Sequence, residues 1–310
     1  MPRLIALDWG SSQLRAWLLG DGGAVLAARS SADGASTLSG GAPAFDAALQ
    51  SLAGDWLVQD LPVLACGMVG SAHGWREARY VACPADLLAL QQHLVKVDTR
   101  SGATLHIVPG LIDDPGDEPA GGTPDVMRGE ETQLVGLLAL QPALADRACV
   151  LMPGTHSKWV DVQQGRIAGF RTRMTGELYA VLRQHSVLGR LMPAADGGEC
   201  AEAFEAGVAA ARRGLGADLS GQLFAVRTLG LTGRWPAAAL PDYLSGLLIG
   251  HELLAGLQPD GAPLALVGDA GLCRRYEHAL RLFDIEPAAV LGNTAIAGLW
   301  QLAVQAQLCT

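Results

Sequence analysis

The sequence predicts an α/β protein of two related halves, each built on a mixed sheet. Three observations predict this. Residues 4–30 open as strand, turn, strand, turn, strand, an antiparallel start unlike the strand–helix–strand of a βαβ unit. Residues 148–172 repeat that plan. The apolar runs Pro62–Cys66 and Pro263–Val267 each feed a glycine-bearing connection, as buried parallel strands do. A chain of 310 residues suits two domains. The split is expected at 1–147 and 148–295, with a final helix over 296–310 packing back on the first.

Leu4–Leu7 reads as a buried strand ending at Asp8. Asp8-Trp9-Gly10-Ser11-Ser12 makes a tight turn, and Gln13–Leu19 returns. Such a turn can hold a phosphate on its amides and hydroxyls, with the aspartate organising a metal ion or its waters. An ordinary hairpin favours the same residues. Ala24–Ser30 is the third strand, and Phe45–Leu57 a helix with Phe45, Ala48, Leu49, Leu52 and Trp56 on one face. Pro62–Cys66 delivers Gly67–Arg76. Gly70, Ser71, Trp75 and Arg76 in that loop suit a small polar ligand, or else form a flexible connection. Asp86–Leu94 reads as a helix and Thr104–Val108 as a strand.

Asp113–Asp125, rich in Pro, Gly and acids, reads as an exposed loop. A helix is expected from Val126 to Leu140, with Arg128, Glu130 and Glu131 in its first turn. The two glutamates either offset the helix dipole or supply a carboxylate that takes a proton from a substrate hydroxyl. In the second half, Ala148–Met152 is a strand and Pro153–Lys158 a turn carrying Gly154, Thr155, His156 and Lys158. Trp159–Val162 and Ile167–Thr172 return as strands. Two such halves can face each other across a cleft, each offering a phosphate-binding hairpin. Arg173–Tyr179 starts a helix that Thr175 can cap. Pro193–Glu199 is a polar loop, Ala201–Leu215 is helical, and Leu223–Leu229 is open between helix and strand. Leu240–Leu253 is a long apolar helix. Gly268-Asp269 follows the last core strand and can admit a base or ribose, and Gly292 begins the final helix.

Composition narrows the function. Half the residues are hydrophobic and 17% are charged, as in an ordered globular protein. A net charge of −9 disfavours nucleic-acid and membrane-surface roles. The chain has only two lysines, Lys96 and Lys158. Its six cysteines are scattered, without metal-ligand spacing. With no leader and no apolar run of spanning length, a cytoplasmic protein is expected. Whether it forms a homo-oligomer stays open.

The blocks LDWGSSQLRAWL, ACGMVGSAHGW, VMRGEETQLVG, VLMPGTHSKWV, FRTRMTGEL, YLSGLLIGHE and GNTAIAGL run through nearly the whole chain. They resemble the sugar-kinase branch of the actin/hexokinase superfamily, and most closely the 2-dehydro-3-deoxygalactonokinases. The resemblance implies two ribonuclease-H-like (actin-like ATPase) domains flanking an interdomain cleft. It implies ATP-dependent phosphorylation of the 6-hydroxyl of 2-dehydro-3-deoxygalactonate in galactonate breakdown. By resemblance, Asp8, Gly10, Ser11 and Ser12 form the first phosphate motif, with Asp8 holding Mg²⁺ through water. Gly154 and Thr155, with His156 and Lys158 nearby, form the second, and Gly268 marks the adenosine motif. Asp269 stands where the superfamily usually has a second glycine, and Glu130 or Glu131 where many members carry an aspartate base. Glu130 is favoured. Arg15, Arg76, Arg128 and Arg173 are the candidates for the substrate carboxylate. A kinase for another sugar or sugar acid, a chaperone- or filament-type ATPase and a non-catalytic sugar sensor are the rival readings.

Overall fold

A computed structural model describes every residue except 59, 117–121, 195–198, 215–217, 258–260 and 310. The centres of the expected 113–125 and 193–199 loops therefore lie outside the described residues. The chain divides into two compact units. Unit 1 holds Met1–Ala148, Val160–Phe170 and Asn293–Thr310; unit 2 holds Cys149–Trp159 and Arg171–Gly292. The 160–170 stretch thus groups with the first unit, not with the half that contains it in sequence.

Unit 1 begins with β1 (Pro2–Trp9), β2 (Leu14–Gly20) and β3 (Val25–Ser31). α1 (Ala42–Leu57) follows, then β4 (Val63–Gly67). Next come β5 (Val81–Ala82), α2 (Leu87–Gln92), β6 (Val95–Asp98) and β7 (Thr104–Ile107). β8 (Leu111–Asp113), β9 (Asp125–Met127) and α3 (Glu130–Leu140) complete this stretch. The main sheet has the order β3-β2-β1-β4-β7-β6. β1 pairs antiparallel with β2 and parallel with β4, so the sheet is mixed. β1 is central, which is why Leu4 through Leu7 are all inaccessible and its apolar run is unbroken. Pro43 near the start of α1 supplies a helix-ready φ. α1 buries Phe45, Ala48, Leu49 and Trp56 against the sheet, with Leu52 partly buried beside them.

The second sheet has the order β12-β11-β10-β13-β14. Its strands are β10 (Arg147–Met152), β11 (Ser157–Gln163) and β12 (Arg166–Arg173), followed much later by β13 and β14. α4 (Thr175–His185), α5 (Ala201–Arg213), α6 (Leu219–Leu231) and α7 (Leu240–Gly256) lie between. β13 (Leu264–Val267), α8 (Ala270–Arg281) and β14 (Ala289–Leu291) follow. β13 is parallel to both β10 and β14. Both sheets share one plan, three strands in sequence order followed by two parallel additions, and the first sheet ends in the antiparallel β6. This is the α/β class with ribonuclease-H-like strand order that the sequence suggested. α9 (Ala295–Gln305) packs on α3 within unit 1. A methyl at Gly136 would run into the Thr294 carbonyl, and one at Gly298 into that of Thr132, so these glycines set the crossing distance.

Several local expectations are corrected. The expected helix from Val126 begins only at Glu130, because Asp125–Met127 pairs with β8 and Gly129 has a left-handed φ of 106°. The helix expected to Leu94 stops at Gln92, and β6 follows it without having been expected. The open stretch 223–229 is helical within α6, started by Asp218, whose side chain accepts from the Gly221 N–H at 3.0 Å. Thr175 is not a cap. It is the first helical residue, and its hydroxyl bonds to Glu252 instead. The final helix starts at Ala295, not Gly292. Among the described residues no helix is long and apolar enough to cross a membrane.

Candidate active site in two half-sites

The first half-site lies at the carboxyl ends of β1 and β4. Asp8 stands opposite Arg15 on β2 and beside Cys66 on β4. Its Oδ2 accepts from Arg15 Nη1 and from Asn293 Nδ2, both at 3.4 Å. Burial raises the Asp8 pKa, against the opposing pull of Arg15 and Asn293. Past Asp8 the chain turns, with the Gly10 N–H on the Gln13 carbonyl at 2.9 Å. The Ala35 and Ser36 amides brace the turn from behind by donating to the carbonyls of Gly10 and Ser11. Gly34 makes that approach feasible, since a side chain there would strike the Ser11 carbonyl. Ser11 and Ser12 remain exposed. A Cβ on Gly10 would meet nothing closer than 3.6 Å.

α3 brings the acidic pair to the same strand ends. Gly129 and Gly67 both have positive φ, and a Cβ on Gly129 would lie 3.4 Å from the Gly67 Cα. Glu131 is fully inaccessible. Its carboxylate accepts from the Gly129 N–H at 2.6 Å and from the Thr132 hydroxyl at 3.0 Å. Burial, reinforced by the charge of Glu130, pushes its pKa up to about 8. Glu130 is half-buried and accepts from the Arg128 N–H at 3.1 Å. The buried Cys66 thiol faces Thr132, and burial together with the charges of Asp8 and Glu131 holds its pKa high.

The substrate candidates divide. Gly70 is buried beside Arg128, where a Cβ would come within 3.0 Å of Nη1. Arg128 donates from Nη2 to the Ala78 carbonyl at 2.8 Å and lies over the Tyr80 ring, 4.6 Å from its centroid. Its Nε and Nη1 are buried without a hydrogen-bond partner. Ser71 is half-buried and Arg76 exposed. Trp75 is buried: it packs edge-on to Trp9 at 6.0 Å and stacks on Phe45 at 6.2 Å. Arg173 belongs to unit 2, where Nη2 reaches the Ala255 carbonyl at 3.3 Å.

The second half-site is the turn between β10 and β11. A Cβ on Gly154 would have no neighbour closer than 3.9 Å. Thr155 and His156 are exposed, and the imidazole Nε2 pairs with the Glu177 carboxylate. α4 braces this turn: the Glu177 N–H donates to the Thr155 carbonyl at 3.0 Å, and Gly176 lets the helix lie against the Gly154 backbone. Gly268 sits beside it, with a Cβ position 3.2 Å from the Pro153 carbonyl. Asp269 is engaged as the cap of α8, accepting from the Leu272 N–H at 3.0 Å. Lys158 does not stand on the open face of the turn; it is 5% exposed and donates to Thr172 Oγ1 at 2.7 Å. A cavity of about 320 Å³ opens next to Gly154, Thr175, Gly176, Arg275 and Tyr276, large enough for part of a small molecule.

Sequence reading missed Asn293, Gly34, Thr132, Arg275 and Tyr276. Asn293, inside the GNTAIAGL block, and Thr132, inside VMRGEETQLVG, carried a signal.

A family model described as 2-keto-3-deoxy-galactonokinase matches residues 8–302. The chain belongs to this family. It is therefore a kinase, a phosphotransferase with an alcohol group as acceptor. The chain is 39% identical over 306 residues to the 2-dehydro-3-deoxygalactonokinase of Escherichia coli (strain K12), covering 97% of both proteins. A Rhizobium meliloti (strain 1021) relative assigned the same activity is 37% identical, covering 95% of this chain and 94% of that protein. A Sinorhizobium meliloti crystal structure with that assignment superposes with a TM-score of 0.83 at 37% identity, covering 97% of this chain and 98% of that one.

Proposed function

We propose that this galactonokinase-family chain transfers the terminal phosphoryl group of ATP to the 6-hydroxyl of 2-dehydro-3-deoxy-D-galactonate. The products are 2-dehydro-3-deoxy-6-phosphogalactonate and ADP, a step of galactonate catabolism. The names of the family and of its relatives support the substrate. One structural observation carries the chemistry. Gly10 and Gly154 lie in matching strand–turn–strand elements, and neither is required by a positive φ or by a close internal contact. Each leaves its turn open to an outside group beside exposed hydroxyls at Ser11, Ser12 and Thr155. Each such turn, taken by itself, suits a phosphate group. The cavity beside Gly154 suits the nucleoside, with His156 at the phosphate end of that half-site.

Phosphoryl transfer depends on positioning and charge neutralisation more than on covalent help. Glu130 is the base in this reading. It is partly exposed, whereas Glu131 is sealed and both its oxygens are occupied. With a pKa of about 8, Glu131 keeps its proton at neutral pH. Glu130 then takes the proton of the 6-hydroxyl as that oxygen bonds to the terminal phosphorus and ADP leaves. Arg128, two residues away, is favoured for the substrate carboxylate because two of its N–H groups have no protein acceptor. Asp8 fits magnesium: a single, partly exposed carboxylate suits an ion that keeps most of its waters and shares the substrate's phosphates. When bound there, the ion would neutralise phosphate charge.

ADP release tested across a panel of 2-keto-3-deoxy sugar acids checks the proposal. Turnover should be highest with 2-dehydro-3-deoxygalactonate. No turnover of any panel member by folded protein would refute it.

A further inference from the structure

Glu252 closes the YLSGLLIGHE block and has no role in the chemistry above. It lies on α7 with 4% exposure. Its carboxylate accepts from Trp159 Nε1 at 2.9 Å and from the Tyr276 hydroxyl at 2.6 Å. The hydroxyls of Ser157 and Thr175 also bond to it. An ionised carboxylate offers about four lone-pair sites, so these four donors fill it.

The donors come from separate parts of the second half-site. Ser157 is the first residue after the Gly154 turn, and Trp159 is two further along β11. Thr175 opens α4, and its neighbour Gly176 lies against the Gly154 backbone. Tyr276 comes from α8. Thr175 and Tyr276 line the same cavity as Gly154, and Glu252 does not. We propose that Glu252 is a positioning residue for the nucleotide. It ties the strand after the phosphate turn, the start of α4 and α8 into one arrangement, and so sets nucleotide affinity without touching the nucleotide. This rests on the reading of that half-site as the ATP site.

Glu252→Gln keeps the volume but replaces two acceptor sites with two donors, leaving the hydroxyls short of acceptors. The parent and the variant are titrated with a non-hydrolysable ATP analogue and magnesium, and KM is measured for ATP and for the acceptor. Analogue affinity should fall about tenfold and KM for ATP rise to match. Acceptor KM and kcat should stay within about twofold, which a merely structural defect would not produce. Tyr276→Phe and Thr175→Val should each weaken the analogue less, and Tyr276→Phe should add nothing to Glu252→Gln. A folded Glu252→Gln protein that binds the analogue like its parent would overturn the proposal, as would simple addition of the two effects. If Glu252→Gln does not fold, the pair Tyr276→Phe and Thr175→Val decides: coupled losses of affinity support the proposal, and additive or absent losses overturn it. A parent that binds no analogue overturns the ATP reading and this proposal together. Normal binding by both parent and variant overturns this proposal alone.

Discussion

Glu131→Gln isolates the cost of the sealed carboxyl on α3. In the unfolded chain this group titrates near 4.5, and in the folded protein at about 8. Its pKa is raised on folding, so the stability it confers is full below pH 4.5 and is lost as pH rises through about 8. Between those values the folded state binds one proton more than the unfolded state, and stability falls by about 1.4 kcal/mol per pH unit. The accumulated loss above pH 8 is about 5 kcal/mol, a large share of the roughly 5–15 kcal/mol typical of folded proteins. Glutamine mimics the protonated acid. Its oxygen accepts from the Gly129 N–H, and the Thr132 hydroxyl, which donates to the carboxylate in the parent, rotates to accept from the amide. Urea unfolding of parent and variant from pH 5 to pH 9 gives the difference between them and cancels the groups they share. The variant should match the parent near pH 5 and gain steadily on it up to pH 8. A difference that is flat across the range, or that shrinks with rising pH, would refute the assignment of a buried, proton-holding Glu131.

Other outcomes follow from the same geometry. Gly10→Ala and Gly154→Ala should fold with melting temperatures close to the parent's, because each added methyl has 3.6 Å or more of room, while KM for ATP rises at least tenfold; steady-state kinetics with thermal melts checks both. Trp75→Ala should lose about 3–5 kcal/mol of stability by urea titration while the folded fraction keeps its KM for the sugar acid, since the ring is core and not site. Arg128→Lys should raise KM for the sugar acid about tenfold or more and leave KM for ATP unchanged, because an ammonium lacks the planar two-point donor; a KM series for both substrates reads this directly.

Much of this was legible in the chain. The repeated strand–turn–strand plan was readable because central strands buried on both faces write unbroken apolar runs, as at Leu4–Leu7 and Val63–Cys66. The acidic pair stood out by its place after Gly129. What escaped reading was mostly long-range. Asn293 reaches Asp8 across 285 residues, and the donors around Glu252 come from three distant segments. No local pattern encodes such convergence. The burial of Trp75 was not legible either, because it follows a glycine-rich loop and its rings meet Trp9 and Phe45 only in the folded chain. Lys158 suits phosphate by residue type, yet it is buried and donates to the Thr172 hydroxyl. The first turn of α3 was read too early because Val126 and Met127 are apolar enough for either state, and only their pairing with β8 decides.

The central claim is that a half-buried Glu130, and not its sealed neighbour, takes the proton of the 6-hydroxyl. Single-turnover phosphorylation of 2-dehydro-3-deoxygalactonate, with the product's phosphate position read by NMR, tests it directly in the Glu130→Gln and Glu131→Gln proteins. Glu130→Gln should bind ATP normally and lose turnover by at least a hundredfold, and Glu131→Gln should keep most of its activity and place the phosphate on carbon 6. Retained turnover in Glu130→Gln with loss in Glu131→Gln would contradict the account.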